Sequence, residues 1–221
     1  MKSSLVFACC LILALALGAR VFAQDIPLGQ PQTKAGVDLL DAIGARVATH
    51  NFVSRALPVS VLSTILWAAN GMRGPDAVTA ASKAGRTIAY SGDNAYLNLY
   101  LFNADGVYLY DPQQNVLKQR SKGDKRSLVT VENIPAASAM LLFTFDSAKA
   151  PPFLKSLPRL VHDIAESTAG YAAENMMLAA AAFKLGSIVM FNVKPADSFA
   201  AVANLTGEES PLFIVQIGYT Q

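Results

Sequence analysis

A chain of 221 residues, 52% hydrophobic and only 15% charged, is long enough to bury one full domain core. Its formal charge of +2 gives no basic surface for neutralising phosphates, so nucleic acid is not an expected partner. Both cysteines, Cys9 and Cys10, sit in the first apolar stretch, which excludes a disulfide, a thiolate nucleophile or a cysteine metal site from everything after it.

That first stretch reads as a secretory signal peptide over residues 1–23. Lys2 precedes an apolar run from Leu5 to Leu17, and Val21-Phe22-Ala23 ends in a small residue for cleavage before Gln24. The run is shorter than the ~20 residues a membrane span needs, which weighs against an uncleaved anchor. Cleavage takes Lys2 and Arg20 with it, leaving a formally neutral chain that is expected to be secreted or periplasmic.

Residues 24–36 carry prolines and glycines without an apolar period and read as an extended lead-in to a single domain over 37–221. Val37, Leu40, Ile43 and Val47 are spaced for one face of a helix. Pro58 suits the start of a second helix with a stripe of Val59, Leu62, Leu66 and Ala69, and Gly71 suits its end. After a loop over 72–93, residues 96–102 alternate as a strand, with Leu97, Leu99 and Leu101 on one face and Tyr96, Asn98 and Tyr100 on the other.

Asn103-Ala104-Asp105-Gly106 is turn chemistry, so 106–111 returns as the second arm of a hairpin, with 115–119 a third strand. Tyr96, Tyr100, Tyr108 and Tyr110 then read as a cross-strand aromatic ladder. Residues 139–146 are a buried strand, and Pro151-Pro152 break the chain before a helix through Leu154, Leu157, Val161 and Ile164.

The stretch over 170–193 is greasy enough to raise the question of a membrane. Its longest unbroken apolar run, Met176 to Phe183, is too short to span one and has Glu174 before it and Lys184 after it. It reads instead as a buried helix lying against a sheet and a partner subunit. A strand ending near Val193, a short helix over 196–205 and a last strand over 211–219 complete an α+β pattern without a βαβ rhythm. His50 and His162 lie far apart in sequence, and neither has a second ligand at metal spacing, so no metal is expected.

Four segments together, 62–72, 103–112, 172–187 and 215–220, make the chain resemble the nitroreductase family from Leu39 to Tyr219. The likeness is to the branch that includes the SagB/ThcOx-type dehydrogenases of azole-forming peptide maturation. The resemblance implies a three-layer α/β/α sandwich with a mainly antiparallel central sheet and a buried central helix. It also implies a homodimer holding FMN at its interface, with hydride passing through flavin N5 to or from a small organic substrate.

The family's phosphate-binding pattern resembles R-x-S-x-[RK]-x-F and falls on residues 46–52. Arg46 and Phe52 match, Ala48 lacks the hydroxyl, and His50 stands where a permanent cation is usual. The second flavin segment falls on 89–95, where Ser91 is compatible and Asp93 puts an anion in place of a neutral amide. The run lying against the ring falls on Val189, Met190, Phe191 and Asn192.

Two readings follow from the resemblance. In the first, the protein is an exported FMN oxidoreductase whose reductant, outside the cytosol, is a quinol or a redox partner protein. In the second, it is a cofactor-free binding or scaffold protein on the same dimeric fold. There Arg46 makes an ordinary salt bridge, His50 faces solvent, and Tyr90 and Phe191 fill the space of a flavin.

Overall fold

The computed structural model describes residues 24–74, 85–92, 94–130 and 134–221. The signal-peptide reading of 1–23 and the assignment of Asp93 lie outside the described residues.

Seven strands form one sheet in the order β1-β4-β3-β2-β5-β7-β6. They are β1 (Ile26–Pro27), β2 (Leu97–Phe102), β3 (Gly106–Asp111), β4 (Val116–Lys122), β5 (Ala139–Asp146), β6 (Gly186–Met190) and β7 (Glu209–Gly218). Every pairing in it is antiparallel. The lead-in supplies β1, whose Ile26 and Pro27 pair with Leu117 and Val116. Proline is tolerated there because β1 is an edge strand with no further neighbour to receive its missing N–H.

Period-two alternation sorts the side chains into two cores. Leu99, Leu101, Leu141, Phe143, Val215 and Ile217 face helices α2 (Val59–Asn70) and α3 (Pro158–Ala182). Tyr100, Phe102, Met140, Leu142 and Ile214 face Phe199 and Ala203 of α4 (Asp197–Ala203). Helices therefore cover both faces of the sheet, thickly on one side and thinly on the other, and the α+β sandwich expected from the sequence is present.

The turn between β2 and β3 is closed by its own first residue. Asn103 Oδ1 accepts from the amides of Asp105 and Gly106 at 2.9 and 3.0 Å. A side chain at Gly106 would meet the Ser121 carbonyl oxygen of β4 at 2.3 Å, so the strands can approach this closely only with glycine there.

Three expectations change. The aromatic ladder does not form: Tyr100 lies in the α4-side core, whereas Tyr96, Tyr108 and Tyr110 lie in the α2/α3-side core. Tyr96 precedes the first residue of β2 and so escapes the alternation. The two helical segments expected before and after residue 170 are one helix of 25 residues, with Pro158 in its first turn and Gly170 accommodated on its exposed face.

The third change concerns helix α1 (Leu39–Ala45), which is shorter than the span from Val37 to Val47 read as one helical face and turns that face outward. Leu40 is 74% exposed and Val47, just beyond the helix, 64%, while Ala42 is the buried residue. No helix among the described residues is long and apolar enough to cross a membrane.

Replacing Gly106 with valine should destabilise the fold by about 1–3 kcal/mol through forced separation of β3 and β4. The check is the urea midpoint of the purified variant, and an unchanged midpoint would mean that the close approach is not required.

Candidate functional site

Residues 46–53 strap the sheet where β6 begins and β7 ends. Ala48 bridges Ser187, Phe52 bridges Thr220, and the amides of Thr49 and Val53 donate to the carbonyls of Ser187 and Tyr219 at 3.0 and 2.9 Å. The strap fixes Arg46 at the C-terminal cap of α1, where its Nε lies 3.0 Å from Glu174 Oε1 on the exposed side of α3. His50 faces solvent, and Phe52 is buried in the α4-side core.

Beside the strap a cleft of about 270 Å3 is lined by Ala45, Val47, Thr49, Lys184, Gly186 and Thr220, among others. A Cβ on Gly186 would meet Thr220 Cγ2 at 2.5 Å and Thr49 Cγ2 at 2.7 Å, so glycine lets the strap and the last strand close around it. Sequence reasoning missed Lys184 as a lining cation. It takes a left-handed backbone (φ 58°) directly after α3, in the position glycine usually fills. The only sequence signal was a lysine and a glycine closing an apolar helical run.

Ser91 belongs to another place, a loop that enters β2. Its amide donates to Tyr96 Oη at 3.4 Å, and that hydroxyl lies 2.8 Å from Thr168 Oγ1 on the buried side of α3. Tyr90 donates from its hydroxyl to Asn70 Oδ1 at 2.8 Å and packs edge-on against Tyr96, with ring centres 4.8 Å apart. Burial pushes the Tyr90 phenol well above its ordinary range, so it stays a neutral donor.

The loop forms part of the wall of the largest cleft among those described, about 710 Å3, which includes Arg86, Asn94, Tyr110, Asp111, Lys118 and Arg120. Asp111 closes one side. Burial opposes its charge, but the Lys118 ammonium 2.6 Å away and the amides of Gln114 and Gln113 outweigh that, holding it below the usual carboxylate range.

Val189 and Met190 point to opposite layers. Val189 packs against the α2/α3-side core, and Met190 is buried in the α4-side core, its sulfur accepting from Gln216 Nε2 at 3.1 Å. Phe191 is 77% exposed, with its ring 5.9 Å from that of Phe213, and Asn192 is exposed as well.

The described residues of the chain therefore do not gather Arg46, His50 and Ser91 around a single cavity. The clefts beside the strap and beside the loop share no lining residue. Their contacts on α3, Glu174 and Thr168, lie roughly one and two-thirds turns apart, one on the exposed face and the other buried.

Residues 43–219 match the sequence model of the nitroreductase family. The chain belongs to that family of oxidoreductases. A putative nitroreductase from Ralstonia eutropha JMP134 is 25% identical, with a TM-score of 0.78 over 89% of this chain and 90% of that one. The Escherichia coli microcin synthetase McbBCD complex contains a chain 16% identical, with a TM-score of 0.66 over 93% of this chain and 77% of that one. A putative nitroreductase from Desulfovibrio desulfuricans, solved in complex with FMN, is 19% identical, with a TM-score of 0.54 over 83% and 87%. No curated protein matches the sequence.

Changing Tyr96 to phenylalanine removes the hydroxyl on which both the Ser91 amide and Thr168 rest. We expect a loss of about 1 kcal/mol in stability and faster amide exchange at Ser91. Exchange at Ser91 equal to that of the unaltered protein would detach the loop from α3.

Proposed function

We propose that the protein is an exported, homodimeric oxidoreductase that binds FMN and acts on a small organic substrate. The observation that carries this reading is the separation of the strap residues from the loop residues on one chain, beside an apolar helix face that is left exposed among the described residues. Leu40, Ile43 and Val47 are exposed there, and Tyr171 stands on the same side of α3 as Glu174. Pairing two copies through this face would cover about four large apolar side chains per copy and bring the strap of one toward the loop of the other.

The strap end fits a phosphate. Lys184 lines the cleft with Thr49, which adds a hydroxyl, and the cation Arg46 is the chain neighbour of the lining residues Ala45 and Val47. The Arg46–Glu174 pair is half exposed, and pairs of that kind are worth only about 0–1 kcal/mol, so a phosphate could displace the carboxylate. The loop end supplies Ser91 and the polar wall around Asn94 for the rest of the nucleotide.

FMN, when bound, supplies a hydride acceptor and donor at N5. The chain's part is to hold the phosphate, exclude water with the partner's apolar face and wall the ring with the exposed Phe191. In an exported compartment the reductant is a quinol or a redox partner protein. The azole-forming branch of the family belongs to the same proposal.

The cofactor-free reading also has support. Arg46 already has a carboxylate partner, and Met190 is committed to the layer away from Val189.

The visible absorption spectrum of the purified protein separates the two. Bound oxidised flavin, retained or taken up on adding FMN, is the expected result, and a dimer that takes up none would leave the cofactor-free protein standing. Replacing Arg46 and Lys184 together with alanine should weaken FMN binding about tenfold or more, measured by flavin fluorescence quenching. Independently, Ile43→Glu should give a monomer in sedimentation analysis and release FMN. A variant that stays dimeric would move the interface elsewhere.

A further inference from the structure

The 710 Å3 cleft beside the loop contains a charge arrangement that the reading above does not use. Among the described residues, four cations line it, Arg86, Lys118, Arg120 and Lys149, with the one carboxylate of Asp111. Lys118 is held by Asp111 and Lys149 by Asp146. Arg120 is exposed and makes no ion pair among the described residues.

Arg86 is the unusual member. It is only 9% exposed, its Nη1 donates to the Asn70 carbonyl at a long 3.4 Å, and its Nε has no partner among the described residues. Burial pulls its pKa down from the ordinary arginine value, against the nearby Tyr90, Tyr110 and Asp111. A buried guanidinium with a vacant donor is costly unless something completes it.

The geometry narrows the ligand. With Nη1 turned to Asn70, the vacant Nε lies on the opposite, side-on edge of the guanidinium. That edge presents two parallel N–H groups and pairs with two oxygens of a planar anion. Leu97, Leu109 and the buried Tyr110 give the cleft apolar wall as well, and Asn94 and Asn98 give neutral polar groups. Its size falls within the ~300–1,000 Å3 of sites for small organic molecules.

We propose that this cleft takes a small organic carboxylate, its two oxygens held side-on by Arg86 once the side chains that seal its Nε part, and its apolar body laid against Tyr110 and Leu97. Arg120 adds a second positive charge at the exposed rim and favours entry of an anion. Naming that carboxylate the substrate rests on the oxidoreductase reading above, whereas its binding does not. A phosphate would satisfy the same fork, so the test includes both anions.

Trp67 is the only tryptophan, and its Nε1 donates at 3.0 Å to the carbonyl of Met72, which lines the cleft, so its fluorescence reports on the site. The purified protein is titrated at constant ionic strength, without added flavin, with sodium benzoate, benzyl alcohol and sodium phosphate. A saturable change with benzoate and none with benzyl alcohol is expected, as is a loss of benzoate affinity of about tenfold or more in Arg86→Gln.

An equal response to benzyl alcohol, unchanged affinity in a folded Arg86→Gln, or tighter binding of phosphate than of benzoate would each overturn the proposal. Should that variant not fold, the Arg86 Nε–H resonance of the unaltered protein decides. It should shift on saturation with benzoate, and a stationary resonance overturns the assignment. FMN uptake is measured separately, so carboxylate binding without flavin would sink the redox reading alone, and flavin without carboxylate binding would sink this one alone.

Discussion

The close seating of α3 on the sheet is the constraint from which the rest of the molecule hangs. Its buried stripe is built from Ala165, Ala169, Ala172, Ala173 and Ala180, with Met176 and Met177 between them. Alanine keeps the helix axis near the strands at no cost in side-chain entropy, and the flexible methionines fill what the alanines leave. Three of the elements that contribute to the candidate sites are then fastened to this helix. The strap reaches it through Arg46 and Glu174, the Ser91 loop through Tyr96 and Thr168, and α2 through Asn175, whose Nδ2 donates to the Ala68 carbonyl at 3.3 Å. A shift of α3 would therefore act on the strap and on the Ser91 loop together.

Elements with local punctuation were legible in the sequence. Pro58 and Gly71 bracket α2, Asn103 to Gly106 closes the hairpin, and the apolar runs of β5 and β7 are interior strands with both faces covered. Continuity of α3 was not legible, because Glu166-Ser167-Thr168-Ala169-Gly170 has the composition of a turn while its tertiary surroundings impose a helix. The direction of α1 was not legible either. Its 3.6-residue period was real, but a period says only that one face differs from the other, and here the apolar face looks outward.

The same limit governs the candidate sites. Arg46, His50 and Ser91 could be placed on segments, yet nothing in their spacing says that α3 separates them. Met190 could be placed on a strand, but which layer its side chain enters depends on the register with β7, where it pairs with Ile214. Lys184 was hidden for a different reason. Its role comes from a left-handed backbone at a helix end, a conformation expected of glycine and taken here by a lysine two residues before one. Arg86 lay in a stretch read as loop, and burial of a charge within a loop has no periodic signature.

How the buried polar groups are completed separates structural from functional parts. Glu209 is buried in the α4-side half of the sheet, yet its carboxylate accepts from Tyr100 Oη at 3.1 and 3.0 Å and from Thr144 Oγ1 at 2.8 Å. Burial and that carboxylate together push the Tyr100 phenol far above its ordinary range, so it remains a donor across the accessible pH range. Gln216 is likewise completed, accepting from the Ala137 amide and donating to Met190. Such groups need nothing from outside, and they lock β2, β5 and β7 in register. Arg86 departs from this economy: it is nearly as buried as Glu209, carries a full charge, and has an Nε with no partner among the described residues, in a residue that lines the 710 Å3 cleft. In a fold that satisfies its other buried charges internally, a charge left open at a cavity wall is best explained by a partner that arrives from solution.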